Sequence, residues 1–280
     1  MSGMEEALLC TTGSAHPPFI LPSFERAFMT FPKRLFFLIL VGLTGLAHVS
    51  VPANSSISGL PFQSGESLTY RVSWANIVEA GTAQLNVTSA PGAPNLLRLE
   101  LRAKPAASMA ATYPFSDEFV SHFDSILRAP SLYEKNFKER ERSIKERIAF
   151  DQARRIATFQ NSKKQSKSLP IELGTQDPVS ALYALRCLGL SPGVQATFPV
   201  LDSGIKYWLE ARVTGIELIT IKLGSFNAHR VEINLRKESG MIENRQITAW
   251  FATNARRLPV LVTVALPVGA AVIELAGQAP

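Results

Sequence analysis

Cysteine is nearly absent: the 280 residues contain Cys10 and Cys187 and no other. Two thiols cannot build a disulfide framework or a cysteine-ligated zinc site, and Cys187 lies in an apolar stretch where a buried thiol is the simplest role. Histidine is scarce too, with four in the chain. His122 and His229 alone follow the N-terminal region. They are too few for a three-histidine metal centre, and neither belongs to a metalloprotease motif, so no metal and no cofactor is expected. A G-x-S-x-G elbow, a phosphate loop and a dinucleotide fingerprint are also missing, and no catalytic residue can be nominated from a linear motif. Charged residues make up 19% and the net charge is +6. Without a nucleic-acid-binding motif this mild basicity points away from nucleic acid and toward anionic lipid or an acidic envelope polymer, through peripheral contact with a membrane surface.

One long hydrophobic run is present. Lys33 and Arg34 precede LFFLILVGLTGLAHV, which is followed by small residues at Ala47, Ser50 and Ala53. That order is the pattern of a secretory signal peptide. The run is shorter than the roughly 20 residues a membrane span needs and is interrupted by Gly42, Thr44 and Gly45. Residues 29–53 are therefore expected to be a signal peptide, with 1–28 an extension upstream of a start at Met29 and 54–280 a single exported domain. No cysteine follows the run, which argues against a lipid-modified N-terminus. The expected location is periplasmic or otherwise outside the cytoplasm.

Beyond Gly65 the dominant signal has period two, broken by Gly, Pro and Asn turns. Leu68, Tyr70, Val72 and Trp74 share one face of a first strand, and Ala83, Leu85 and Val87 one face of a second, with ANIVEAG as the turn between. Leu97, Leu99, Leu101 and Ala103 alternate with Arg98, Glu100 and Arg102, the pattern of an antiparallel sheet with one wet face. In KLGSFNAHRVEINL, His229, Val231, Ile233 and Leu235 fall on one side. The stretch from Lys135 to Phe159 reads as a helix on residue propensity alone, since Phe137, Ile144 and Ile148 recur at near-helical spacing. NSKKQSKSLPIELG reads as a polar loop. A clear helix follows, with Asp177 as N-cap, Pro178 in its first position and Gly189 closing it. The last third reads as seven strands, among them IKYWLEARVTG and IELITIKLG. In LPVLVTVALP both faces are apolar, as in a strand that is covered twice or faces a cavity. The fold class is all-β with minor α: an antiparallel curved sheet, open barrel or sandwich, with one or two helices.

Several stretches taken in order, GESLTYRVSWANIVEAGTAQL, DPVSALYALR, LGSFNAHRVEI and AWFATNARRLPVLVTVALPVGAAVIEL, resemble the exported bacterial proteins grouped as domain of unknown function 3108. Asn254 stands where that family usually has an acidic residue. The resemblance implies an exported, largely antiparallel β protein with few helices, and it transfers no catalytic residues. It also turns residues 135–159 from a helix into two long charged strands around a turn at Asp151 to Arg155. A looser similarity is to lipoprotein-carrier half barrels, in which a curved sheet wraps an apolar groove under a helical lid.

The candidate cavity residues are Trp74, Tyr113, Phe115, Trp208, His229 and Trp250, together with Val262 and Val264 of the two-sided strand. Large aromatics are more often plain core, and His229 on an apolar face reads as a hydrogen-bonded core or cavity histidine rather than a catalytic base. Eleven Lys and Arg against four Asp and Glu between Lys135 and Lys167 mark a basic block that either meets anionic headgroups or guards a sheet edge. Three functions fit: a non-enzymatic envelope protein binding a lipid-like apolar or amphiphilic ligand, an envelope hydrolase without a linear motif, or a structural or assembly factor acting through protein contacts. No feature specifies an oligomeric state. The expected export is checked by the intact mass of the protein recovered from its host. The first residue should follow Ala47, Ser50 or Ala53, and a chain still beginning at or before Met29 would refute removal of the segment.

Overall fold

The structure, a computed structural model, describes residues 59–75, 77–90, 92–240, 246–267 and 269–279. The expected signal peptide and upstream extension lie outside the described residues. In the N-terminal half the strands are β1 (Ser67–Trp74), β2 (Val78–Ala90), β3 (Ala93–Pro105), β4 (Phe115–Asp124), β5 (Ala129–Glu139), β6 (Arg142–Asp151), β7 (Ile156–Asn161) and β8 (Ser166–Pro170). After the helix α1 (Pro178–Cys187) come β9 (Gln195–Asp202), β10 (Ile205–Ile221), β11 (Gly224–Lys237), β12 (Ile247–Ala252), β13 (Pro259–Ala265) and β14 (Ala270–Ala279).

These strands form one antiparallel 14-stranded sheet. The chain's first and last strands are neighbours in its middle, Leu68 opposite Gln278 and Val72 opposite Ile273. From that centre the sheet grows outward as two meanders, one ending at β8 and the other at β9. The two outermost strands are joined through α1, and the parallel bridge from Gln176 to Val200 covers part of the β9 edge. The sheet is not closed into a barrel.

Alternation explains the curl. Leu68, Tyr70 and Val72 of β1 and Val260, Val262 and Val264 of β13 are buried on the concave face, while Leu261 and Thr263 are half-buried behind them. Register shifts at Thr69/Tyr70, Val72/Ser73, His122/Phe123, Val213/Gly215 and Trp250/Phe251 add local twist, which bends so wide a sheet around its contents.

The helix fills part of the concavity. Asp177 caps it as read from sequence, its Oδ1 accepting from the backbone of Val179 and Ser180 while Ser180 Oγ accepts from the Asp177 N–H. Pro178 opens it, and the chain leaves helical geometry at Leu188, one residue before Gly189. The helix packs on β3, β4, β5 and β9. Its far end is fixed by Arg186, which is fully buried. Nη1 donates to Glu66 Oε1 at 2.6 Å and Nη2 to Glu66 Oε2 at 2.9 Å. Nη2 also donates to the carbonyls of Pro61 and Arg256, and the guanidinium lies over the rings of Phe62 and Tyr183. Tyr183 meets Phe62 edge-on.

Several sequence expectations are corrected. Residues 135–159 are strands, as the family resemblance implies and against the reading from propensity alone, because cross-strand pairing and the inward faces of Tyr133, Ile148 and Phe150 outweigh the helix propensity of the Lys, Arg and Glu around them. The turn at 152–155 falls where the resemblance put it, and a second turn at Arg140–Glu141 separates β5 from β6. The polar loop after Asn161 contains strand β8, which pairs with β7. IKYWLEARVTG and IELITIKLG are one strand, β10, carried through Gly215 by a bulge.

Removing one partner of the buried pair leaves an uncompensated charge in the core. Glu66→Gln should destabilise the protein by about 3–5 kcal/mol in urea denaturation, and Glu66→Met with Arg186→Met together should cost clearly less than the sum of the two single changes. Additive losses would show that the pair is not coupled.

Candidate functional site: a capped cavity in the curled sheet

Between α1 and the concave face lies a cavity of about 410 Å³, within the range of small-molecule sites. The sheet contributes Tyr70, Leu85, Phe119 and Ile273 to its wall, and the helix contributes Leu182 and Leu185. The polar lining residues are Lys135, Glu139, Arg142, Glu146, Asp202 and Ser203, which come from β5, β6 and the β9–β10 turn. The site is therefore an apolar chamber with a charged mouth.

The mouth closes by side chains where no ladder runs. Asp202 pairs with Ile205 across a two-residue turn in which Ser203 and Gly204 both have positive φ, 49° and 74°. This is the tight hairpin geometry that glycine favours, and a Cβ on Gly204 would come 3.3 Å from Phe159 Cδ1 of β7. Lys135 Nζ donates to Ser203 Oγ at 3.0 Å, and Ser203 Oγ donates to Glu146 Oε2 at 2.6 Å. Lys135 Nζ also lies 3.6 Å from Glu146 Oε2 and 3.5 Å from Asp202 Oδ1. Lys135 and Glu146 face one another across the β5–β6 pair. A hairpin tip from one half of the sheet is thus pinned to strands of the other half.

Burial sets the electrostatics. Desolvation pushes the Asp202 carboxyl up, with Lys135 pulling it down and Glu146 pushing it up. Desolvation also raises Asp117 to about 7 and Asp177 to about 6, although Ser121 Oγ donates to Asp177 Oδ2 at 2.5 Å. The hydroxyls of Tyr70 and Tyr183 are pushed well up by burial, and neither has a hydrogen-bond partner among the described residues. Burial likewise raises the Cys187 thiol, which disfavours a reactive thiolate. Among the described residues no cluster of His, Cys, Asp and Glu could hold a metal ion.

Of the eight residues nominated from sequence, Val262 is in the cavity wall. Val264 is buried on the same face of β13 within the core. Trp74 packs its indole against Gly269, where a Cβ would meet Nε1 at 2.8 Å. Trp208 is half-buried and alternates with the inward Tyr207 and Leu209. Trp250 donates from Nε1 to Glu217 Oε2 at 2.7 Å and alternates with the inward Ala249 and Phe251. Tyr113 lies in the β3–β4 connection with the Arg140 guanidinium 6.0 Å from its ring centre, and Phe115 is half-buried across from Glu139. His229 is half-buried opposite Phe251, its Nδ1 has no hydrogen-bond partner among the described residues, and desolvation followed by the charge of Arg257 lowers its pKa. His122 Nε2 is 3.7 Å from Glu134 on the outer side. Sequence reasoning missed the mouth. The available signal was Lys135 at even spacing between Tyr133 and Phe137, an inward lysine concealed within a basic block.

Fold and site together define a class: an exposed-edged, curled antiparallel sheet that holds one helix and a cavity in its concavity. The chain belongs to the family described as protein of unknown function (DUF3108), whose model matches residues 69–276. Among solved structures, the beta-barrel-like protein of domain of unknown function DUF1849 from Brucella abortus superposes with a TM-score of 0.55 at 9% identity, covering 78% of this chain and 98% of that one. It shares the fold. A structure described as an exported protein with a YmcC-like fold, from Bacteroides fragilis, gives a TM-score of 0.38 at 13% identity, covering 79% of this chain and 98% of that one. No curated protein matches the sequence.

The raised carboxyls fix the sign of a pH effect. Asp117 and Asp177 hold protons in the fold that they release near pH 4 when unfolded, so their contribution is complete below that pH. It is lost as pH rises through their folded values, about 7 for Asp117 and about 6 for Asp177. Urea midpoints should therefore fall between about pH 5 and about pH 8, and Asp117→Asn should flatten that slope. A midpoint rising across the window would contradict the assignment.

Proposed function

We propose that this protein acts outside the cytoplasm as a non-enzymatic holder or carrier of an apolar or amphiphilic, lipid-like ligand. The observation that carries the reading is the cavity of about 410 Å³, apolar along the helix and sheet and polar at one mouth. A chain of methylenes gains by leaving water for such walls, while its head group stays among Lys135, Glu146, Asp202 and Ser203. Export rests on the signal-peptide pattern preceding the described residues.

A hydrolase needs a nucleophile with a base at its side. Neither His122 nor His229 is in the cavity wall. Ser203 has Lys135 at hand, but that ammonium is shared with two carboxylates, an arrangement that binds charge rather than accepts a proton. Contacts at a sheet edge have less support, since β8 is short and its Lys167 is exposed, both common guards against strand pairing.

Native mass spectrometry of protein purified from its host should show a bound amphiphile, and delipidated protein should take up a fluorescent fatty probe. Leu182→Trp and Ala249→Phe place bulk in the cavity wall. Each is expected to weaken the probe by roughly tenfold or more while the melting temperature stays within a few degrees. Full binding by both folded variants would end the cavity reading.

A further inference from the structure

We propose that the cavity selects amphiphiles whose head group donates hydrogen bonds and carries no net negative charge, such as a hydroxyl, an amide or an ammonium. This deepens the ligand-holding reading above and rests on it.

The buried part of the mouth contains one cation and two carboxylates. Lys135 and Asp202 are 8% and 7% exposed, and the Glu146 side chain is 14% exposed. The ammonium is already committed, donating to Ser203 and lying within 3.6 Å of both carboxylates. The Ser203 hydroxyl is committed as well, since it accepts from Lys135 and donates to Glu146. Asp202 differs. It belongs to the cavity wall, and its Oδ1 has no hydrogen bond of good geometry from the described residues: Lys135 Nζ stands 3.5 Å away, and Lys135 and Ser203, which both steady the carboxylate, direct their short hydrogen bonds to each other and to Glu146.

A buried carboxylate oxygen without a donor is a standing cost that an arriving donor removes. An arriving carboxylate or phosphate brings the opposite. It adds a third negative group beside two that share one ammonium, where water screens little. Arg142 does not reverse this balance. It is exposed at the rim and paired in register with Glu139, so the mouth as a whole has two cations against three carboxylates, and a solvated rim charge weighs far less than a desolvated one.

The test is a competition series on the delipidated full-length exported protein, with glycerol monolaurate, laurylammonium and laurate displacing a fluorescent fatty probe. The chains match, so differences report the head group. The first two are expected to bind at least roughly tenfold more tightly than laurate, and Asp202→Asn should narrow that gap to within about threefold. Laurate binding as well as the others to the unmodified protein would overturn the inference and leave the cavity reading intact. A gap unchanged in a folded Asp202→Asn protein would also overturn it. If none of the three displaces the probe, the cavity reading itself fails. The ranking in the unmodified protein decides the question even where the variant does not fold.

Discussion

The arrangement depends on one buried guanidinium. A 14-stranded sheet that curls exposes a concave face far larger than its own side chains can fill, and an unfilled apolar concavity would collapse or flood. The helix prevents both outcomes, but ten residues with a short apolar stripe do not hold themselves in place. Arg186 does so, through a bidentate pair with Glu66 and two backbone carbonyls from opposite ends of the chain. Those partners lie just before β1 and between β12 and β13, so the helix is tied to the centre of the sheet where the two meanders meet. Sinking a charge this deep is expensive, and a hydrophobic substitute could match its stability. What a substitute lacks is direction: a planar fork with fixed acceptors sets the helix at one depth and rotation, and the volume left between helix and sheet follows from that setting.

The second constraint is topological. Each half of the sheet is a simple meander of local pairings, and the chain's midpoint, not its ends, spans the two free edges. The connection between β8 and β9 must therefore bridge the opening, and the helix inside the curl is that bridge. Asp177 is its fixed start. The carboxylate caps the helix, accepts from Ser121 on β4 and lies directly after the Gln176 bridge to β9, so one residue joins the helix to both halves.

Much of this was legible in the chain. Period-two patterning identifies β1 to β3 and β11 because their outer faces are wetter and their inner faces apolar, and β13 is legible as a short run that is apolar on both faces. The Asp-Pro start of α1 is equally plain, since its cap chemistry is local. What stayed hidden is what depends on partners distant in sequence. Residues 135–159 are helix-forming by composition, and the resemblance to a family, not their own propensity, is what reads them as strands; in the fold they pair with one another, with β4 on one side and with β8 on the other. The bulge at Val213/Gly215 leaves a glycine that looks like a turn but lets one strand continue. Trp74, Trp208 and Trp250 were natural nominations because bulk suggests a wall, yet this cavity is built from leucine, isoleucine, alanine and tyrosine around a smaller helix. The charged mouth lay out of reach, because Lys135 and Asp202 are 67 positions apart and look like a basic block and a turn.

The mouth is also where the structure can yield most readily. Opening a closed barrel means breaking a row of backbone hydrogen bonds together. Parting the β9–β10 tip from β5, β6 and β7 breaks a few side-chain interactions, those of Lys135, Ser203, Glu146 and the Phe159–Gly204 packing, and leaves every ladder intact. The carboxylates released by such a movement regain water, which offsets part of the broken pairing, whereas the helix end at Arg186 regains nothing and stays in place. Stiffness is thus concentrated at one end of the cavity and compliance at the other. On the proposal that the cavity holds an amphiphile, the guest would enter with its chain toward the fixed end and its head group toward the lock, so that its hydrogen bonds replace those that the lock gives up as it opens.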